Sequence, residues 1–539
     1  MPDEGSKFVP RNSEALKAIF AEIVGPENVT DDAAALRLHS EDIWSAGPSV
    51  AALIVAPRSL DEVSAIVRAA TETGFSIAPR GAGMSYTSGY VPADERTLSL
   101  DMSRMNRILD IRADDMIVTV EAGCNWRDLN AALAPLGLRT PFWGPMSGLV
   151  STIGGGLSQL NAMFGAGHYG TSSESVVALT IVLADGSILR TGARGPDGNT
   201  PFYRHYGPDL AGLFCGDSGA FGIKAEISLR LIRAPAHEDY ATFAFKTGQD
   251  LLKAMAEMAR AGVACEMCAF DPGLNRVRMQ RASLGSDIKT LGAVVAKQKS
   301  LVKGLVEAGK VAMAGRNFVE PDEYAVHMVA EGRSAAAVEA DIAEARRIAA
   351  SFAGRETENS IAKVIRAMPF PPLNSALGPN GDRWAPVHGH AALSLAPAVF
   401  EAVEAVFADM ADRFTEAGIR TGYLFSSLST NALILEPVFY WPEERLPIHE
   451  AAIEPSHLAK LPALPPNPEA TAIVREARAR VIAAFERFGC AHFQIGRAYP
   501  YRQSRDAASW RLIEAVKATV DAPGAFNPGG LGLDARTPA

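Results

Sequence analysis

The stretch IAPRGAGMSYTSGYVP, residues 77–92, follows an apolar run and holds Gly81, Gly83 and Gly89 beside Tyr86 and Tyr90. Glycine lets a backbone turn sharply and brings bare N–H groups close to a ligand, so this loop reads as a phosphate cradle. The two common phosphate loops do not fit. A dinucleotide fingerprint needs a third glycine where Tyr86 stands, and no Gly-Lys-Ser/Thr follows as a nucleoside triphosphatase requires. The loop therefore calls for a different phosphate-bearing ligand, and the surrounding chain must identify it.

The 539 residues suffice for two or more domains with large cores. With 48% hydrophobic and 21% charged residues, the composition is that of an ordinary globular protein. A net charge of −9 argues against nucleic acid, whose binding needs a basic field. The polar start MPDEGSKFVP shows no apolar signal core, and no apolar run has the length of a membrane span, so a cytoplasmic location is expected. Five scattered cysteines make no disulfide framework. Cys265 and Cys268 form a CxxC, but positions three apart on a strand face opposite ways, and no second pair exists; they read as core residues.

Outward from the opening loop, AALIVAP, LDEVSAIVRAATETG and FSIAP read as strand, helix and strand. Short strands (TLSLDMS, RILDIRA, MIVTVEAG) and a helix ending at Gly137 complete a first α/β unit. Residues 141–235 form a second unit, with the glycine-rich STIGGGLSQLNAMFGAGHYGT and a hairpin signal at Asp185-Gly186. From about residue 236 alanine-rich helical stretches alternate with strands such as TNALILEPVFYW, and the chain closes with a helix and a Pro/Gly turn.

Taken in order, APRGAGMSY, STIGGGLSQLNAMFGAGHYGT with ALTIVLADGSILRTG, GAFGIKAEISLRLI and the terminal FNPGGLG resemble the vanillyl-alcohol oxidase/p-cresol methylhydroxylase superfamily of flavoproteins. The resemblance implies an α+β fold: a two-subdomain PCMH-type FAD-binding domain over 1–235, an inserted α/β cap (substrate) domain over 236–495, and a C-terminal segment over 496–539 that returns to the FAD domain. Arg80, Gly81, Ala82, Gly83, Met84 and Ser85 would then hold the FAD pyrophosphate through their backbone N–H groups. Gly154 and Gly155 would let the second loop approach the ring system, and Ser151, Thr152 and Ser158 would supply hydroxyls. The resemblance also sets His168, Tyr169 and Gly170 near the flavin, Gly222 and Ile223 by the adenine, and Asn527 over the cofactor. Where relatives bond flavin covalently, this chain carries Met84 and Ser85 in the loop and Asn431 and Ala432 in the cap, so non-covalent FAD is expected.

The substrate is less legible. His388 and His390, two apart on a possible strand, face one side. They resemble the metal pair of D-2-hydroxy acid dehydrogenases, of the D-lactate dehydrogenase type, but that group's full histidine pattern is absent, Glu436 is the nearest third ligand, and no metal is assigned. As neutral imidazoles either could be the catalytic base. Tyr501 and Arg502 match a Tyr-Arg pair that binds phenolate in phenol-oxidising relatives and would suit any anion. The acidic residue those enzymes place by the flavin aligns with Thr171, which weakens the phenol reading.

The first expectation is therefore an FAD-linked oxidase or dehydrogenase. It would oxidise a small alcohol or 2-hydroxy acid bearing an anion, by hydride transfer to flavin N5. The alternative is oxidation of para-substituted phenols of the vanillyl-alcohol type. A third reading, from another class, is a membrane-docking or binding protein with degenerate flavin chemistry, in which the lysine-studded helical pattern over 289–313 contacts a membrane. Oxygen, a quinone or a cytochrome remain open as acceptor, and an oligomer is expected because relatives are often dimers.

Overall fold

The computed structural model describes residues 13–281 and 320–533; the 289–313 segment lies outside them. Three larger sheets organise the described residues, beside two two-stranded ones. The first contains β1 (Val29–Thr30), β2 (Leu53–Val55), β3 (Ser76–Arg80) and β4 (Thr97–Asp101), in the order β1-β2-β4-β3. β4 inserts between β2 and β3 and runs parallel to both. The helix Leu60–Glu72 bridges β2 and β3. Ser59 caps it by accepting from the Glu62 N–H, and Val63, Ile66, Val67 and Ala70 form its buried face.

The second sheet contains β5 (Ile108–Arg112), β6 (Ile117–Glu121), β7 (Val176–Val182), β8 (Ile188–Arg190) and β9 (Ile223–Arg230), in the antiparallel order β5-β6-β9-β7-β8. The β7–β8 turn places Gly186 at φ 78°, as its Asp-Gly signal suggests. β7 is buried along its full length, which fits its sequence VVALTIV, apolar but for Thr180.

The third sheet has eight antiparallel strands: β10 (His237–Phe245), β11 (Glu266–Phe270), β12 (Tyr324–Gly332), β13 (Arg355–Thr357), β14 (Arg383–Pro386), β15 (Gly389–Ala392), β16 (Arg420–Leu428) and β17 (Ala432–Trp441). Their order is β13-β10-β12-β11-β16-β17-β14, with β15 also paired to β17. Side chains alternate across a strand. Leu433, Leu435, Phe439 and Trp441 enter the core shared with the helices Gly248–Ala261, Ala335–Ser351, Ala396–Asp409 and Pro468–Arg487. Ile434, Glu436, Val438 and Tyr440 consequently face the other way, towards the first two sheets.

The chain then returns to its start. Phe526 bridges Ile77 of β3 in parallel, Ile77 N–H donates to Ala525 O, and Asn527 N–H donates to Ile77 O. Cys265 and Cys268 are both buried, as thiols rather than a disulfide. No helix among the described residues is long and apolar enough to cross a membrane.

Candidate active site

A cavity of about 930 Å³ lies between the glycine loops of the first two sheets and the face of the third turned away from its helices. Its floor is the segment Arg80–Tyr86, all of which lines it. Among the described residues, no backbone N–H from Gly81 to Tyr86 has a protein acceptor. Row after row of free donors in a concave loop is the arrangement that holds an anion. The loop is pinned from outside: the Tyr90 hydroxyl donates to Gly83 O at 2.7 Å, and the Arg80 guanidinium lies 5.5 Å from the Tyr90 ring. Arg80 is buried, and its Nε has no partner.

The second glycine loop forms the adjoining wall through Ser151, Thr152, Gly154, Gly155 and Ser158. Thr152 caps the helix Ile153–Gln159 by accepting from Gly155 N–H at 3.2 Å. Gly154 is needed for close packing, since an added Cβ would lie 2.7 Å from Ala122 Cβ. Gly222, Ile223 and Lys224 line a further part, with Lys224 Nζ 2.6 Å from Asp217 Oδ1. Gln159 Oε1 and Asn161 Oδ1 also border the cavity and have no partner although buried.

The third sheet contributes Trp384, Leu424, Ser426, Ile434, Glu436, Val438 and Tyr440. In this largely apolar face Glu436 is the carboxylate. Opposite stand Tyr86, Phe493 and Gln494. Gln494 Nε2 donates to the Tyr86 hydroxyl at 3.0 Å and its Oε1 accepts from Ser85 at 3.1 Å, so one side chain fixes two loop residues. Burial raises the Tyr86 phenol well above its ordinary range, and the neighbouring Glu436 and Tyr499 add to the effect.

Four of the expected catalytic residues are placed elsewhere. His388 and His390 do face one side, but that side is the Phe493 ring, at 3.8 and 4.8 Å between ring centroids, and neither lines the cavity. Burial depresses the His388 imidazole well below its usual value and pushes His390 down to about 3. The Tyr499 hydroxyl accepts from His388 N–H at 2.9 Å and lies 3.2 Å from its Nδ1. The pair is thus a packed wall behind the site rather than a base in it. Tyr501 and Arg502 also lie off the cavity. Arg502 is exposed and lies 5.2 Å from the Trp510 ring, while Arg505 covers Tyr501. They do not form the anion anchor.

His168, Tyr169 and Gly170 do not line the cavity either. Their short helix Ala166–Tyr169 meets the third sheet: His168 Nε2 lies 3.0 Å from Gly262 O, and Gly167 N–H donates to Cys265 O. Thr171 is likewise absent from the lining, its hydroxyl 2.9 Å from Ser173 Oγ. Asn527 is buried one layer away. Its amide donates at 2.6 Å to Gly89 O and to Ser218 O, so it binds together two segments that line the cavity. Tyr86 was left without a role by the sequence, and Glu436 was offered only as a candidate third metal ligand. The isolated acid in LILEPVFYW, on a strand with period two, was the available signal. Among the described residues no group of three metal-ligating side chains comes together.

A loop of unpartnered donors, beside a second glycine loop packed close on Ala122, fits a dinucleotide bearing a pyrophosphate. Residues 51–192 match the family model described as FAD binding domain. These residues are an FAD-binding domain, FAD is the cofactor, and the chain as a whole has the fold of the p-cresol methylhydroxylase group of flavoproteins. The solved structure of p-cresol methylhydroxylase with substrate bound superposes with a TM-score of 0.73 at 16% identity, covering 98% of each chain. That of 4-ethylphenol oxidase from Gulosibacter chungangensis, an isoeugenol complex, does so with 0.69 at 18% identity, covering 99% of each. Among curated proteins, glycolate oxidase subunit GlcD of Bacillus subtilis (strain 168) is 33% identical over 41% of this chain and 45% of its own length. The mitochondrial D-lactate dehydrogenase [cytochrome] 1 of Saccharomyces cerevisiae is 30% identical over 44% of this chain and 40% of its own. The matched region spans less than half the length of these two relatives.

Proposed function

We propose that the protein is an FAD-dependent oxidoreductase that oxidises the CH–OH group of a small alcohol, with FAD held non-covalently and Glu436 taking the hydroxyl proton. The position of Glu436 carries this reading: a carboxylate in an apolar sheet face, lining the same cavity as the phosphate cradle. Bound FAD supplies the acceptor for the hydrogen that leaves carbon with its electron pair. Arg80 and the N–H groups of Gly81 to Tyr86 would hold the pyrophosphate, and Gly222, Ile223 and Lys224 would flank the nucleotide. Glu436 accepts the proton as the carbonyl forms, while the Tyr86–Gln494 pair is placed to orient the oxygen. Trp384, Leu424, Ile434 and Val438 exclude water from the reacting end.

This wall favours an alcohol that is uncharged at its reacting end, such as the side-chain alcohol of a para-substituted phenol, because a second carboxylate beside Glu436 would be repelled. A second reading, oxidation of a 2-hydroxy acid, is supported by the names of the curated relatives, and its carboxylate would have to reach Arg80, Lys224 or Lys460. Anaerobic addition of 4-hydroxybenzyl alcohol, glycolate or D-lactate to the purified yellow protein separates the two. Loss of the flavin's visible absorbance with the phenolic alcohol alone supports the first, and with the acids alone the second. Bound FAD that no alcohol or hydroxy acid reduces contradicts both and favours a binding protein. Reoxidation by oxygen, a soluble quinone or a cytochrome then identifies the acceptor class.

A further inference from the structure

Arg366, near the end of the helix Ser360–Ala367, is 4% exposed and holds three carboxylates. Its Nε bonds Glu238 at 2.9 Å, its Nη1 bonds Glu266 at 2.6 Å, and its Nη2 bonds Glu331. Arg139 grips both oxygens of Glu331 from the other side. The Trp143 ring stands against both guanidiniums, 4.9 Å from Arg366 and 5.7 Å from Arg139. Four residues beyond Arg366, Phe370 sets its ring 5.9 Å from Trp143 and 6.0 Å from Phe164. That ring lies flush on two bare backbones: a Cβ added to Gly144 or Gly148 would come within 2.7 or 2.5 Å of its carbons. The segment around it supplies Met368, Pro371 and Pro372 to the cavity wall, and the glycine segment beneath supplies Pro145 and Met146.

We propose that Arg366 and Phe370 are positioning residues that fix the spacing between these two wall segments and thereby set the size of substrate admitted. Neither touches the cavity. Arg366 anchors the start of the upper segment by a fork that only a guanidinium provides, and Phe370 seats it on the lower one through contacts that leave no spare volume. The inference goes beyond proton removal by Glu436 and rests on the CH–OH reading only for the choice of probes.

The test uses the full-length FAD-bound protein and the variants Gly148→Ala, Gly148→Ala/Phe370→Leu and Arg366→Lys. Amide hydrogen exchange over residues 368–376 reads the position directly. An added methyl at Gly148 overpacks the contact with Phe370, so exchange over 368–376 is expected to rise roughly tenfold. It returns towards wild type in the double variant, where the smaller side chain makes room. Titration with benzyl alcohol and 2-naphthalenemethanol, followed by perturbation of the flavin spectrum, reads size selection. The ratio of the two dissociation constants is expected to shift by about threefold or more in Gly148→Ala and Arg366→Lys and to recover in the double variant, at constant FAD content. Unchanged exchange over 368–376 in Gly148→Ala overturns the positioning role. Altered exchange with an unchanged ratio overturns the role in size selection. If neither alcohol perturbs wild-type flavin, the CH–OH reading falls, and the exchange measurement still decides positioning.

Discussion

Arg80 lies across the bare Cα of Gly83: a Cβ there would come within 2.4 Å of Nη2, and Gly83 holds φ at +74°. Both the space and the backbone angle therefore require glycine in the middle of the cradle. Gly83→Ala is expected to weaken FAD retention by roughly tenfold or more, from left-handed strain of ~1–2 kcal/mol and displacement of the guanidinium. Flavin content after gel filtration, and the FAD concentration that restores it, check this.

Glu436 lines the cavity, whereas His388 and His390 pack behind it on the Phe493 ring. Glu436→Gln is expected to lower kcat by about 10²- to 10⁴-fold with FAD content unchanged. His390→Asn, behind the cavity-lining Phe493, is expected to leave kcat of the folded fraction within about threefold. Tyr501→Phe and Arg502→Lys are expected to keep the wild-type KM for every active substrate, because neither lines the cavity. Steady-state kinetics on the four variants check all of these.

Asn527 ties the chain's return segment to both loops, donating to Gly89 O and Ser218 O and accepting from Arg497 Nη2 at 2.8 Å. Asn527→Ala removes the donor to two buried carbonyls, Gly89 O and Ser218 O, and one of the acceptors of Arg497 Nη2. It is expected to cost about 2–4 kcal/mol of stability and to loosen FAD binding, although the side chain never meets the cavity. Urea unfolding with and without added FAD checks both effects.

His449 is fully buried and neutral. Its Nδ1 accepts from Leu446 N–H at 2.9 Å, and its Nε2–H donates to Ile43 O at 3.0 Å. Burial foremost, with Arg383 nearby, pushes it down to about 3, from ~6.5 in an unfolded chain. The unfolded form therefore takes up a proton that the folded form refuses, so stability falls as pH drops from about 6.5 towards 3. Between pH 7 and pH 5 this one histidine removes about 2 kcal/mol. His390 acts in the same direction over the same window. Asp42, pushed up to about 6 by burial, opposes them: it adds stability as pH falls from about 6 to ~4. Unfolding midpoints at the two pH values are expected to converge in His449→Gln.

That the two glycine loops line one cavity was legible because glycines mark backbone geometry directly. Gly83 and Gly154 stand where a Cβ has no room, and the spacing of the two loops survives in the sequence. The substrate side was not, because it depends on which strand faces which. His388 and His390 share a face, but only the pairing of β15 with β17 and the return of Phe493 show that the Phe493 ring covers this face. Tyr501 and Arg502 were displaced by a chain path that brings Tyr499 inward instead, buried against His388. His168 and Tyr169 follow a second glycine loop whose exit, Gly165 at φ 84°, turns them away from the cavity.

The most direct test of the account is the anaerobic rate at which an alcohol bleaches the bound flavin, measured by stopped flow in wild type and Glu436→Gln. Complete bleaching is expected in wild type, and a rate lower by about 10²-fold or more in the variant, at equal FAD occupancy. Bleaching of Glu436→Gln at the wild-type rate would contradict it.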